Sequence, residues 1–272
     1  MLTAPFGHVS SSRPWLWPNL LSLDAPIVAV LWQALFARCF HADANMLAAL
    51  LLVLAVWLIY VFDRVCDGWA GSGFLPRHEF YRRYWRTVLP VWSAVLAIAG
   101  WLAWTRLPAA LLQRGSILLA AVGLYFAAVH LAPAGVRKAW PKEAAVAVMF
   151  ALGASLSTWG QVRSAVDLAT IALFCCLCWI NCVAIEQWER GMVQGSLARW
   201  PIAFTALCVA AAAIVLLHQH RPVLSGAETA SALAFVLLDW GRNRFSRDAL
   251  RVLADVALLS PVFFLPLART LA

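Results

Sequence analysis

Residues 44 to 64 form one apolar run in which no charged side chain precedes Asp63. Its length is close to the roughly 20 residues that a helix needs to cross the hydrocarbon core of a bilayer. Inside lipid a backbone amide meets no water, so such a run has to satisfy its hydrogen bonds internally, as a helix. The pattern recurs along the chain. Apolar segments cover residues 25 to 39, 44 to 64, 88 to 105, 110 to 132, 141 to 160, 165 to 187, 199 to 218, 226 to 241 and 247 to 267, nine in all. The chain is 63% hydrophobic and 12% charged, whereas water-soluble domains are about 45 to 50% apolar. The expected fold class is therefore all-α: a multi-pass transmembrane helical bundle of about nine helices, forming one membrane domain over residues 1 to 272.

The formal charge of +8 does not mark a nucleic-acid binder, because the basic residues are scattered between the apolar segments. They report topology instead. With the N-terminus in the cytoplasm, that side collects Arg13, Arg64, Arg77, Arg82, Arg83, Arg86, Arg137, Lys138, Lys142, Arg190, Arg199, Arg242, Arg244, Arg247 and Arg251. The far side holds Arg38, Arg106, Arg114, Arg163, Arg221 and Arg269, so the division is 15 against 6 of the 21 basic residues. The positive-inside rule then predicts a cytoplasmic N-terminus and a C-terminus on the far side, and a bacterial inner membrane is the expected location. Residues 1 to 23, with Trp15 and Trp17, read as an interfacial segment without a cleavable signal pattern. Asp24-Ala25-Pro26 reads as a helix start. Residues 68 to 87 are expected to form a cytoplasmic loop, glycine-rich at first and then basic and aromatic. Such a loop can close over an anion or lie on acidic headgroups. Cys66, Cys175, Cys176, Cys178, Cys182 and Cys208 lie in or beside apolar runs and read as small buried hydrophobic side chains.

A helix through residues 57 to 67 places Tyr60, Asp63 and Asp67 on one face, at steps of three and four. An aspartate at the centre of a bilayer costs about 2.5 to 3.5 kcal/mol, so this face requires a protein-lined cavity, a cation or the water boundary. On the same predicted side, the fourth segment ends in Tyr125 and His130 and the fifth begins Pro141-Lys142-Glu143. The sixth ends with Asn181, Glu186, Glu189 and Arg190. Carboxylates, an amide and cations from several helix ends are thus expected at one depth. That set suits a phosphorylated molecule carried with a hard divalent cation, since Mg²⁺ takes one or two carboxylates and completes its shell with water and phosphate oxygens. Lys and Arg would neutralise a departing diphosphate, and an apolar interior would shelter a carbocation from water. Asp255, about two turns into the ninth segment, is expected to face the interior and to pair with Arg251.

These stretches resemble the UbiA family of intramembrane prenyltransferases, which have nine transmembrane helices and two aspartate-rich motifs at cytoplasmic helix ends. Ile59-Tyr60-Val61-Phe62-Asp63-Arg64-Val65-Cys66-Asp67 is similar to the family's NDxxDxxxD motif at its last two aspartates and at the arginine between them. Ile59-Tyr60 replaces the leading Asn-Asp pair. Asn181 and Glu189 keep the spacing of the second motif's first and last members, while its central aspartate falls on Ile185, beside Glu186. The stretch from Tyr125 through Arg137, Lys142 and Glu143 to Phe150-Ala151-Leu152-Gly153 looks like the family's fourth-to-fifth helix region. The resemblance implies a transferase that moves a polyprenyl group from its diphosphate to a lipophilic or aromatic acceptor. It implies Mg²⁺ held by Asp63, Asp67, Asn181, Glu186 and Glu189, with Asp63, Asp67 and Tyr60 as the catalytic residues. Arg64, Arg82, Arg137, Lys142 and Asn181 would contact the substrate. The missing motif members sustain an alternative expectation: a non-catalytic UbiA-like protein that binds an isoprenoid lipid or serves as a subunit of a membrane complex.

Overall fold

The computed structural model describes residues 17 to 43, 45 to 69, 76 to 131, 142 to 194 and 201 to 270. Among them the secondary structure is entirely helical. The main helices are α1 (Asp24–Cys39), α2 (Met46–Trp69), α3 (Pro76–Arg106), α4 (Ala109–Leu131), α5 (Lys142–Ser155), α6 (Ala165–Gln194), α7 (Ile202–Leu217), α8 (Pro222–Gly241) and α9 (Arg247–Ala257). Five helical stretches are long and apolar enough to cross a membrane: Met46–Asp67, Arg83–Arg106, Ala109–Leu131, Ala165–Trp188 and Pro222–Arg244. The chain is an integral membrane protein built as a helical bundle.

The core lies around α1, α6, α7 and α8. Trp32 and Phe36 of α1 are fully buried, and Trp32 stacks on Phe174 of α6 with ring centroids 4.3 Å apart. On α7, Ala206, Ala210 and Ala213 are buried at steps of four and three. One helical face is thereby left without bulk, which lets α8 approach closely; in a membrane such packing replaces the hydrophobic drive that lipid cannot supply. By contrast, α3 and α4 expose Trp101, Trp104, Ile117 and Leu124. Apolar side chains on an outer helix are what a lipid-facing surface requires.

Two elements differ from the sequence reading. The stretch expected as a loop up to residue 87 is helical from Pro76, and α3 bends at Tyr84, where φ is −104° and ψ is 17°. Proline suits the first turn because its missing N–H has no partner to lose there. The contact that holds the entry of α3 is long-range: Tyr81 is buried, and its hydroxyl meets Ser22 Oγ at 3.0 Å. The ninth apolar segment is also not one helix. It breaks after Ala257 into a turn and a short helix, Pro261–Phe264, because Pro261 cannot continue the amide ladder. Two side chains of α1 accommodate the break. Trp32 Nε1 donates to the Leu258 carbonyl at 2.8 Å, and an Arg38 guanidinium nitrogen donates to the Leu265 carbonyl at 2.7 Å. Non-helical backbone inside a membrane domain survives where protein groups satisfy it in this way.

Candidate functional site

The ends of α2, α4 and α6 and the start of α5 share one region. Lys142 Nζ, in the first turn of α5, lies 3.5 Å from Glu143 Oε1 and 3.6 Å from Glu186 Oε1 on α6. The Glu143 and Glu186 carboxyl groups are within hydrogen-bond reach of one another, so the ammonium offsets the repulsion between two neighbouring carboxyls. Tyr125 on α4 lies within electrostatic reach of Asp63 and Asp67 on α2, Glu143 on α5 and Cys182 on α6. Phe126 follows it in the chain and meets Phe62 of α2 edge to face, with centroids 5.1 Å apart. The same ring stacks on His130 at 5.8 Å. The helix ends that the sequence assigns to one depth are therefore held together by aromatic packing and a lysine bridge. Lys142 is half exposed.

Three of the predicted site residues belong to a deeper group. Tyr60 lines a small, partly open pocket of about 20 Å³ together with Asn181, Cys182 and Asp255, against apolar walls that include Val28, Ala147 and Phe150. Asn181 Nδ2 donates to Asp255 Oδ1 at 3.1 Å, while the buried Asn181 Oδ1 has no hydrogen-bond partner. Arg64 is 6% exposed and donates to the Asn19 carbonyl at 2.6 Å. Asn19 in turn donates through Nδ2 to Asp24 Oδ2 at 2.6 Å. Arg64, expected to contact substrate, is thus committed to the segment that precedes α1. Asp24, read from sequence only as a helix start, lies within hydrogen-bond reach of Asp255. Above this group, burial raises the Tyr81 phenol above its ordinary value, against the lowering contact with Ser22 and the field of Arg64.

At the other end of the bundle, α6, α8 and α1 are clasped by a single arginine. Arg221 reaches Asp167 Oδ1 with an NH2 nitrogen at 2.8 Å and the Cys39 carbonyl with its other terminal nitrogen, also at 2.8 Å. On α8, Glu228 is fully buried, and neither of its carboxyl oxygens has a hydrogen-bond partner. The sequence reading missed Asp24 and Glu228. Glu228 carried a usable signal, being a carboxyl inside an apolar segment, the feature that singled out Asp255. Asp24 carried none, since a carboxylate at a helix start looks the same whether it faces water or the interior.

Arg137 and the side chains of Arg82 and Glu189 lie outside the described residues. Among the described residues no group of three or more His, Cys, Asp or Glu side chains converges as a metal cage. Seven cysteines are free. Of the six expected to be small buried hydrophobic side chains, Cys178 is buried, whereas Cys176 and Cys208 are exposed, on helix faces turned away from the bundle. No family model matches the chain, and no curated protein and no solved structure matches it either.

Proposed function

We propose that this protein is a UbiA-like intramembrane prenyltransferase with nine spans, in which the ends of α2, α4, α5 and α6 receive the diphosphate of a polyprenyl donor. The observation that carries the proposal is the juxtaposition at Tyr125, which lies within electrostatic reach of Asp63, Asp67, Glu143 and Cys182. In this reading that end faces the cytoplasm of a bacterium, and the prenyl tail and a lipophilic or aromatic acceptor enter from the membrane.

Mg²⁺ is the cation such chemistry calls for, and the donor set is compatible with it in one form. Asp63 and Asp67 are one helical turn apart on α2, and a magnesium ion that arrives with a diphosphate needs only one or two protein carboxylates. The ion would draw charge from the diphosphate as it departs. Lys142 would assist by giving up its hold on Glu186 and Glu143 to contact phosphate oxygens. The aromatic wall of Phe62, Phe126 and His130 would exclude water from the electron-poor prenyl carbon. Tyr60 and Asn181 are better placed to line the inner end of the chamber than to hold the metal.

The test is product formation with a panel of prenyl diphosphates, read by lipid extraction and mass spectrometry with and without Mg²⁺. Asp63→Ala should abolish Mg²⁺-dependent turnover while leaving the thermal transition within a degree or two of the unsubstituted protein. Unchanged turnover would reject the reading. A second reading, a non-catalytic UbiA-like protein that binds an isoprenoid lipid or a membrane partner, is favoured by one observation: Asn181 and Arg64 are already engaged, by Asp255 and Asn19. A purified protein that carries polyprenyl lipid or a stable protein partner, and releases no diphosphate, would establish it.

A further inference from the structure

The turn at which α3 becomes a membrane span is built unlike the rest of that helix. Its apolar stretch begins at Arg83, and the helix bends at the next residue, Tyr84. Every residue from Arg83 to Thr87 is exposed. Five consecutive residues go more than once round a helix, so no side of this turn is buried in the bundle. Two of the five are arginines, three positions apart and therefore neighbours on the helix surface.

Each arginine is held by an aromatic ring of the same turn. The Arg83 guanidinium carbon lies 5.8 Å from the centroid of Tyr84, and that of Arg86 lies 5.6 Å from the centroid of Trp85, distances at which the ring quadrupole attracts a cation. Stacking uses the flat face of a guanidinium and leaves its N–H donors, which lie in its plane, to bind an oxyanion. Among the described residues no carboxylate forms an ion pair with either arginine. Two positive charges are thus gathered and oriented on one turn, with no anion of the described chain to meet them.

The adjoining surface is fixed in place and is apolar. Tyr81, one turn earlier, is buried and ties the start of α3 to Ser22 at 3.0 Å. The segment that carries Ser22 exposes Trp17 and Leu21. It is anchored to α2, since Trp57 Nε1 donates to the Leu21 carbonyl at 3.1 Å and Arg64 to the Asn19 carbonyl at 2.6 Å. Further into the span, Leu89 follows Arg86 by three positions and is exposed. Aromatic rings and arginines at the mouth of an exposed apolar helix are what the boundary between headgroups and hydrocarbon selects.

We propose that Arg83 and Arg86 form a binding site for the phosphate of an anionic phospholipid, with the acyl chains of that lipid lying along the exposed apolar face of α3. A soluble anion would gain nothing from Leu89 and the neighbouring apolar side chains, whereas a lipid satisfies the charge and covers the hydrocarbon surface together. An anionic headgroup is favoured over a zwitterionic one because choline would bring a third positive charge to a turn that already holds two. The inference does not depend on prenyl transfer, and its test reads bound lipid, not turnover.

The experiment is fluorescence anisotropy of phosphatidylglycerol and of phosphatidylcholine, each labelled on an acyl chain and titrated with the full-length protein in detergent. The unsubstituted protein should bind phosphatidylglycerol more tightly than phosphatidylcholine. In the double variant Arg83→Gln, Arg86→Gln the Kd for phosphatidylglycerol should rise about 25-fold, a factor of about five for each arginine at an acidic lipid surface. Arg106→Gln, an exposed arginine at the opposite end of α3, should leave that Kd unchanged. Equal affinity of the unsubstituted protein for the two lipids would overturn the proposal, as would an equal loss in the Arg106 variant. If the double variant fails to fold, each single substitution decides, with an expected loss of about fivefold; an unchanged Kd in both rejects the site. Inorganic phosphate and NaCl at one ionic strength should weaken binding alike, by screening. Displacement by phosphate alone would show a free-anion site and overturn the lipid assignment. A dimer that disappears in the double variant while lipid binding persists would give the surface to a second copy of the chain and overturn it too.

Discussion

Polar side chains in this protein are spent in two ways, and Arg221 illustrates the structural one. Asp167 is almost fully buried and Arg221 about one-quarter exposed, and the guanidinium also holds the last carbonyl of α1. Removing one partner of a buried ion pair leaves the other charge uncompensated, which costs about 3 to 5 kcal/mol. Arg221→Ala should therefore lower stability by about 3 kcal/mol, the lower end of that range because of the partial exposure of the arginine. Thermal unfolding in detergent, followed by circular dichroism, measures it; a change below about 1 kcal/mol would mean that the clasp is replaced by water. Asp63, Asp67 and Lys142 sit at helix ends with partial exposure, within reach of water. Of the candidate site, the step-of-four relation of Asp63 and Asp67 was legible in the sequence because a helix fixes it locally. The partners of Asn181 and Arg64 were not, because those contacts join residues 74 and 45 positions apart.

At the scale of elements, packing turns on how closely helices approach. On α8, Gly226 faces Phe264 of the short helix that follows the break in the ninth apolar segment, and a Cβ placed there would run into the ring. Overpacking of that kind costs about 1 to 3 kcal/mol. Gly226→Ala should lower the thermal stability accordingly. Gly100→Ala on α3, where an added Cβ meets nothing within 4 Å, should be neutral or stabilising by up to about 1 kcal/mol through helix propensity. Equal effects of the two substitutions would show that the short helix does not pack as described. The broken ninth segment shows why apolar length alone misreads elements. Its composition is that of a span, yet Pro261 and the two donors from α1 make a turn the more stable outcome.

For the whole molecule, the charge asymmetry carries an expectation of orientation. If the end bearing Asp63, Lys142 and Glu186 faces the cytoplasm, alkaline phosphatase fused at the C-terminus should be active, and a fluorescent protein fused there should be dark. The reverse pattern would invert the bundle and move the candidate site to the far side. Membrane residence itself rests on five helical stretches of sufficient length and apolarity, independent of orientation.

The sequence by itself determined that this chain lives in a membrane, that it is helical, and where most of its helices run. Those properties follow from local composition and from the demand that backbone amides be satisfied within lipid. It also marked the face of α2 that carries Tyr60, Asp63 and Asp67, since helical spacing is a local rule. Only the tertiary structure decided that Tyr60 turns toward Asn181 and Asp255 in the interior, that Arg64 anchors the segment before α1, and that Asp24 meets Asp255. The reason is physical. In lipid the apolar faces of different helices are nearly equivalent, so partners are chosen by close packing and by buried hydrogen bonds between distant segments, and neither is written in the order of residues along any one helix.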